Sequence, residues 1–320
     1  MEDPGSHSKG AVSGRSARGS FVDVTGRAAI LLIGQDGQDL LQRLSTNDLS
    51  RLKEGGHVQT ILTDEKGRII DVVSVLKLET RKLLLVGQAA DAQNLLQWMN
   101  KFIIMEDVRT ELASSLYSHF LIFAIDDRAG GLKMGTDLDG MWSYLEDWGG
   151  TRLRHVLIDV ARGQQVVEGL SRNGLVAAHH RDFDEFRIMN GIPGSPNELS
   201  DTYNPLEANL AHLISWTKGC YIGQEVIARL DTYKKVQRRL VKMTLKEMPE
   251  TVPCTLFGGN DAAGTLTSAV RPHGGPTMLG LGYVRTQSPK IDAGLSYRKN
   301  GAEIAAIPAE ELDRIGTGAG

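Results

Sequence analysis

The sequence predicts an α+β fold that ends in a small all-β domain. Up to about residue 235, runs with strand character alternate with stretches whose apolar residues recur at helical spacing. Beyond Val241 the texture changes to short strands broken by Gly-Gly and Pro, among them Leu279–Val284 and Glu303–Ile307. No internal repeat of fixed period interrupts this order. The chain therefore divides into a tail over 1–20, an α+β region over 21–235 and a β domain over 236–320.

The elements follow in sequence. Phe21–Val24 and Ala28–Ile33 read as short strands. Asp36 stands where it can cap a helix carrying Leu40, Leu41 and Leu44, which ends before Asn47-Asp48. His57–Thr63 and Arg68–Val75 are strand-like runs joined by the turn residues Asp64-Glu65-Lys66-Gly67, and Leu83–Val86 is a further strand. Between Asp91 and Phe102, Leu95, Leu96, Trp98, Met99 and Phe102 make a core-facing helical stripe. Phe120–Ile125 and Val156–Ile158 read as strands, and His180–Gly191 as a helix stopped by Gly191 and Pro193. A short helix is expected over Gly223–Leu230.

Composition narrows the function classes. The 320 residues are 41% apolar with a formal net charge of -3, which gives no basic footprint for general nucleic-acid binding. Two cysteines, Cys220 and Cys254, are too few for a disulfide framework or a self-contained metal site, which fits a reducing compartment. The eight histidines show no metal-ligand spacing, so no metal site is expected. No apolar run approaches the ~20 residues that span a bilayer. Residues 1–20 lack the apolar stretch of a signal peptide and, like Gly316–Gly320, have the composition of a disordered segment.

The run Thr217-Lys218-Gly219-Cys220-Tyr221-Ile222-Gly223-Gln224-Glu225 carries the clearest chemistry. Glycines on both sides let the chain turn and let a ligand approach the thiol. Lys218, two residues before the sulfur, favours a thiolate, the form that attacks or binds metal. Glu225 stands at a helix start, where the helix dipole favours a carboxylate. Cys254 lies in the predicted β domain and reads as a packing residue.

The segment from Pro205 to Leu240 resembles the signature of the YgfZ-type folate-binding proteins, in the superfamily of the glycine-cleavage T-protein (GcvT). Their Lys-Gly-Cys-aromatic-x-Gly-Gln-Glu core is matched by Lys218, Gly219, Cys220, Tyr221, Gly223, Gln224 and Glu225, and Ala228 and Arg229 continue it. Weaker matches in the same order are Leu44-x-Thr46-Asn47-Asp48, Gly67-Arg68-Ile69-Ile70-Asp71, Arg187-Ile188-x-x-Gly191-Ile192-Pro193 and Gly282-Tyr283-Val284. The resemblance implies a GcvT-like fold: two interlocked α+β subdomains around a central folate channel, followed by a small C-terminal β-barrel.

It also implies tetrahydrofolate, or a one-carbon derivative, as cofactor. The implied activity is assistance to iron-sulfur cluster assembly or repair in four-iron enzymes, with an indirect effect on tRNA modification. Cys220 and Lys218 would then be the reactive pair. Asp71, Phe183, Glu207, Asn209, Gln224 and Arg229 would serve the folate. Partners would be folate and iron-sulfur assembly proteins or client four-iron enzymes, in the cytoplasm or, for a eukaryotic source, the mitochondrial matrix. Two departures separate the chain from T-protein itself. Val72 follows Asp71 where those enzymes carry a second aspartate, and Met189 replaces a pterin-binding glutamate. A folate-dependent aminomethyltransferase or methyltransferase is the first rival. A non-catalytic folate- or RNA-binding protein using Lys234, Lys235, Arg238, Arg239 and Lys242 is the second.

Overall fold

The structure is a computed structural model that describes residues 18–89, 91–125, 140–273, 275–286 and 294–308. Residues 1–17 and Gly316–Gly320, expected to be disordered, lie outside the described residues. Strand β1 (Ser20–Asp23) is followed by β2 (Ala29–Ile33), α1 (Gly37–Leu44), β3 (His57–Thr63), β4 (Ile69–Glu79), β5 (Lys82–Gly87), α2 (Ala92–Asn100) and β6 (Arg109–Leu112). Then come β7 (Tyr117–Phe123), β8 (Trp142–Trp148), β9 (Thr151–Asp159), α3 (Gly163–Arg172), β10 (Val176–Ala177), α4 (His180–Met189) and α5 (Gln224–Thr232). The last strands are β11 (Arg238–Leu245), β12 (Cys254–Gly258), β13 (Asp261–Val270), β14 (Met278–Arg285), β15 (Leu295–Lys299) and β16 (Ala302–Pro308).

Two five-stranded sheets and a closed barrel result. One sheet has the order β10-β1-β7-β9-β8, the other β3-β4-β5-β2-β6, and the barrel runs β11-β14-β13-β12-β15-β16. Consecutive strands β1 and β2 lie in different sheets, as do β6 and β7, so the chain starts one sheet, builds the other and returns. That path interlocks the two halves.

Strand composition follows from burial on both faces. In β2, Ile30 and Leu32 join a core formed with Leu40, Leu41, Leu95 and Met99 of the two helices. Ala29 and Leu31 join a second core with Tyr144 and Leu157 of the opposing sheet. A strand covered on both sides needs apolar residues throughout, hence AILLI rather than an alternation. On the far face, Phe120, Ile122, Val156 and Ile158 pack against Val166 and Leu170 of α3. The layers are thus helices, sheet, sheet and helix.

Several boundaries differ from the sequence expectation. Asp36 does not cap α1 with its side chain; its carboxylate accepts instead from the Asp107 N–H at 2.8 Å, tying α1 to the loop before β6. Asp91 does cap α2, accepting from the Asn94 N–H at 3.0 Å. The Asp64–Gly67 turn is present, with the Gly67 N–H donating to the Asp64 carbonyl at 2.9 Å and Gly67 at φ +68°. β4 runs on to Glu79, and β1 begins at Ser20, with the Arg18 N–H already donating to Gly174 O. The β8–β9 hairpin and α3 extend well beyond the Val156–Ile158 strand expected there. β8 reads WSYLEDW and buries a glutamate, which hides it from an apolar pattern.

The barrel core holds Val241, Met243, Leu245, Leu256, Leu266 and Tyr297. Cys254 packs against it as expected, and burial pushes its thiol up. The barrel is keyed to the α+β region by Tyr283, stacked on Tyr203 with ring centroids 3.4 Å apart, its hydroxyl donating to Glu198 O at 2.8 Å. Arg187 of α4 adds a second tie, donating to buried Glu198 at 3.0 Å and to Ser268 of β13 at 3.1 Å.

Candidate ligand cavity and the exposed cysteine loop

Two cavities lie side by side between α4, the β8–β9 turn and the first barrel strand. The larger is about 430 Å³ and is lined by Arg27, Gln88, Trp148, Phe183 and Arg187 among others. The smaller is about 270 Å³ and includes Asn209, His212, Leu240 and Lys242. Trp148 and Pro193 border both. Trp148 comes from the last position of β8, and Phe183 from the first turns of α4. Phe183 also packs edge-on against Phe123 with centroids 5.4 Å apart, so it is core residue and cavity wall at once.

A buried carboxylate organises this wall. Glu146 is 1% exposed and accepts from Ser74 Oγ at 2.9 Å, Gln88 Nε2 at 3.0 Å and Trp148 Nε1 at 3.1 Å. His155 Nε2 lies 3.1 Å from the same carboxylate, within ion-pair distance though not aligned for a straight hydrogen bond. Burial pushes Glu146 up, but nearby His155 and Arg27 and the hydrogen bond from Ser74 outweigh it and hold the carboxyl below its ordinary value. Behind His155, the His119 ring nitrogen is 2.8 Å from His155 Nδ1. Burial, with the His155 and Arg27 charges, holds His119 well below its ordinary value, so it is neutral. Tyr144 stacks on His155 at 4.8 Å and 13°.

Asp71 lies beside the larger cavity. Its carboxylate accepts from the Val72 N–H at 2.8 Å and from the Gln88 and Ala89 N–H groups at 3.3 Å, and both of those residues line the cavity. Three backbone donors favour the charged form, yet two of the bonds are long and the residue is 2% exposed. Burial prevails and pushes the carboxyl up to about 7. Gly87 makes this possible, because a Cβ there would collide with Asp71 Oδ2. Val72 is fully buried in the central core, so the next position in the chain supplies no second carboxylate.

The cysteine loop is built differently. Cys220 is exposed and lines neither cavity. Lys218 Nζ donates to the carbonyls of Gln42, Ser45 and Asn47 at 2.7, 2.8 and 2.6 Å. An ammonium has three donors, and all three are committed to the C-terminal end of α1, leaving none for the thiol. Burial lowers Lys218 to about 8. The expected Lys218–Cys220 pairing is therefore replaced by a clamp that fixes the loop. Thr46 completes it: Thr46 Oγ1 donates to Leu213 O at 2.7 Å, and the Ser215 N–H donates to Thr46 O at 3.0 Å. Gly223, at φ +82°, lets the loop touch the Asp64–Gly67 turn, where a Cβ would strike the Asp64 carbonyl.

The predicted residues thus separate. Phe183 and Asn209 line the cavities and Asp71 lies next to one. Glu207 is buried against Arg68 (3.4 Å) and the Asn204 N–H (3.1 Å), holding the turn before the barrel. Gln224 and Arg229 lie on α5, outside both cavities. Of the basic cluster, Lys234 pairs with Asp231, Lys235 lies over Tyr233, Arg238 lies over Tyr203, and Lys242 donates to Met189 O. Sequence reasoning missed Arg27, Gln88, Glu146, Trp148 and His155. An isolated glutamate between aromatic residues in WSYLEDW was the one available signal.

Comparison with known proteins agrees with this architecture. Residues 14–123 match the GCVT N-terminal domain model. The chain is 28% identical over 312 residues to "Putative transferase At1g60990, chloroplastic" of Arabidopsis thaliana, covering 90% of this chain and 70% of that protein. It is 27% identical over 314 residues to an aminomethyltransferase of Aquifex aeolicus, covering 90% and 79%. The crystal structure of glycine cleavage system aminomethyltransferase T from Bartonella henselae superposes with a TM-score of 0.74 at 17% identity, covering 91% of this chain and 85% of that one. Among the described residues, no helix is long and apolar enough to cross a membrane. The chain carries a GCVT N-terminal domain within a GcvT-like α+β fold that closes with a six-stranded β-barrel.

Proposed function

We propose that the protein binds a reduced folate in the two adjacent cavities and presents Cys220, outside them, for iron-sulfur cluster assembly or repair on client four-iron enzymes. The observation that carries this reading is the separation itself: an aromatic-walled cavity at Trp148 and Phe183, and an exposed thiol on a clamped loop. The residues fit a folate. A flat ring needs aromatic faces and edge donors and acceptors, which Trp148, Phe183, Gln88 and Asn209 supply. When bound, the folate would supply a nitrogen able to carry a one-carbon unit. An exposed thiol is suited to a protein partner that brings the remaining ligands of a cluster.

Aminomethyl or methyl transfer is the second reading. Asp71, held near 7 beside the cavity, can accept or release a proton at neutral pH, which suits acid-base assistance to such a transfer. It also fits the relatives named as aminomethyltransferases. The test is calorimetry with tetrahydrofolate, then rescue of a four-iron enzyme in cells lacking their own family member, with wild type or Cys220→Ser at equal abundance. Folate binding with rescue by wild type alone supports the first reading. Folate binding with turnover of an aminomethyl or methyl donor, and equal behaviour of Cys220→Ser, replaces it with the second.

A further inference from the structure

Arg27 is the one cationic side chain of the larger cavity whose contacts do not explain its place. It precedes β2, is half-buried, and its hydrogen bond to Gln88 Oε1 at 2.7 Å is the one found for its guanidinium among the described residues. No carboxylate among the described residues pairs with it within salt-bridge distance. Arg187, which lines the same cavity, is by contrast paired with Asp184 at 2.6 Å and Glu198 at 3.0 Å. A guanidinium carries five N–H donors in a planar fork, so Arg27 has four left. None of its nitrogens is a sealed, unpartnered atom, so they open on the cavity rather than into packed core.

Its presentation is built in depth. Gln88 donates through Nε2 to buried Glu146, which fixes the amide so that Oε1 faces Arg27. Glu146 is in turn anchored by Ser74, Trp148 and His155. One buried carboxylate therefore sets the orientation of Trp148 and Gln88 and, through Gln88, of Arg27. Burial lowers Arg27 from its ordinary value while the nearby Glu146 charge opposes this. A cation held by a neutral amide keeps its fork free for an incoming anion.

We infer that Arg27 is a carboxylate-recognition residue of the cavity, and that Gln88 and Glu146 are its positioning residues. The ligand carries a carboxylate that accepts two N–H bonds from the guanidinium, the pairing for which the fork is shaped. That carboxylate has two possible sources: the glutamate end of a folate, or a small organic acid bound beside it. The inference rests on the larger cavity being a ligand site but not on the ligand being a folate.

The test is calorimetry on the full chain with three probes: 5-formyltetrahydrofolate, a tetrahydropterin without the aminobenzoyl-glutamate, and N,N-dimethylglycine. Arg27→Met is expected to weaken at least one carboxylate-bearing probe by about ten- to a hundred-fold and to leave the tetrahydropterin unchanged within about two-fold. Arg27→Lys, which keeps the charge but loses the fork, is expected to fall between. Gln88→Ala is expected to weaken the same probe as Arg27→Met, by less. Loss confined to the folate assigns the carboxylate to its tail; loss confined to dimethylglycine assigns it to a separate acid. Dimethylglycine binding that depends on Arg27, with no folate binding by wild type, would retain the inference and sink the folate reading. Folate and tetrahydropterin binding with equal affinity, both indifferent to Arg27→Met, would overturn the inference and leave the folate reading standing. Failure of wild type to bind either carboxylate probe also overturns it. Far-UV circular dichroism of each variant separates these outcomes from misfolding.

Discussion

The cavity wall and the cysteine loop hold their functional groups by opposite means. At the wall, charged side chains are held by other side chains: Glu146 gathers Ser74, Gln88, Trp148 and His155, and Gln88 passes the order on to Arg27. At the loop, one lysine grips three main-chain carbonyls, and the cysteine it supports is left without a part in the clamp. The wall is therefore sensitive to what each side chain is, and the loop to how the backbone is tied. A thiol on a firm but uninvolved loop is free to be spent in chemistry. A carboxylate at a hub is not.

The largest effect that would break this contrast is at the hub. Glu146→Ala should cost about 3–5 kcal/mol, because it leaves His155 buried without its partner and three further donors unmet. Urea unfolding at neutral pH checks it, and a loss below about 1 kcal/mol would mean that the wall does not depend on Glu146.

The next effect is pH-dependent. Asp71 rises from 3.8 to about 7 in the folded chain, so the native state holds this proton more tightly than the unfolded chain does. Its favourable contribution is full below the unfolded value, falls as pH rises between the two, and is gone above about 7. Wild type should lose up to a few kcal/mol relative to Asp71→Asn between pH 4 and pH 7.5. Parallel stability curves for the two proteins would contradict the assignment.

Lys218→Met should cost about 1–3 kcal/mol through the three orphaned carbonyls. It should also raise amide exchange selectively between Trp216 and Ile222. Uniform exchange across the chain would argue against a local clamp. Gly223→Ala should cost about 1–2 kcal/mol or more, from its left-handed backbone and the collision with the Asp64 carbonyl. Cys220→Ser completes the series with a change within about 0.5 kcal/mol, since the thiol is exposed. A larger loss would place Cys220 in the framework it is argued to stand outside.

The same contrast explains what could be read beforehand. The cysteine loop was legible because its residues are contiguous: Lys218, Cys220 and Gly223 form a pattern in one stretch. The helical stripe through Leu95 and Met99 and the β texture after Val241 were legible because periodicity is local. The wall was not. Ser74, Gln88, Glu146 and His155 come from different strands and linkers, and none carries a local signature. The purpose of Lys218 escaped for the same reason, since its acceptors lie at Gln42, Ser45 and Asn47, far away in sequence. Glycine was more informative than charge. Gly67 and Gly223 each read as turn residues, and in the fold Gly223 must admit the backbone of Asp64 and Gly67 while Gly67 packs against Ile227 of α5.

The interlock of the two sheets has a consequence for how the chain is made. β1 leaves the ribosome long before its partners, since Ser20 pairs with Phe123 on one side and Val176 on the other. The whole β3-β4-β5-β2-β6 sheet emerges while β1 still has no neighbour. Such distant pairing slows folding and leaves an unpaired apolar edge during synthesis, a state open to capture by chaperones or by other nascent chains. A strand made early is thus among the last to be seated, and a nascent chain halted before β7 would hold one finished sheet and a single loose strand of the other.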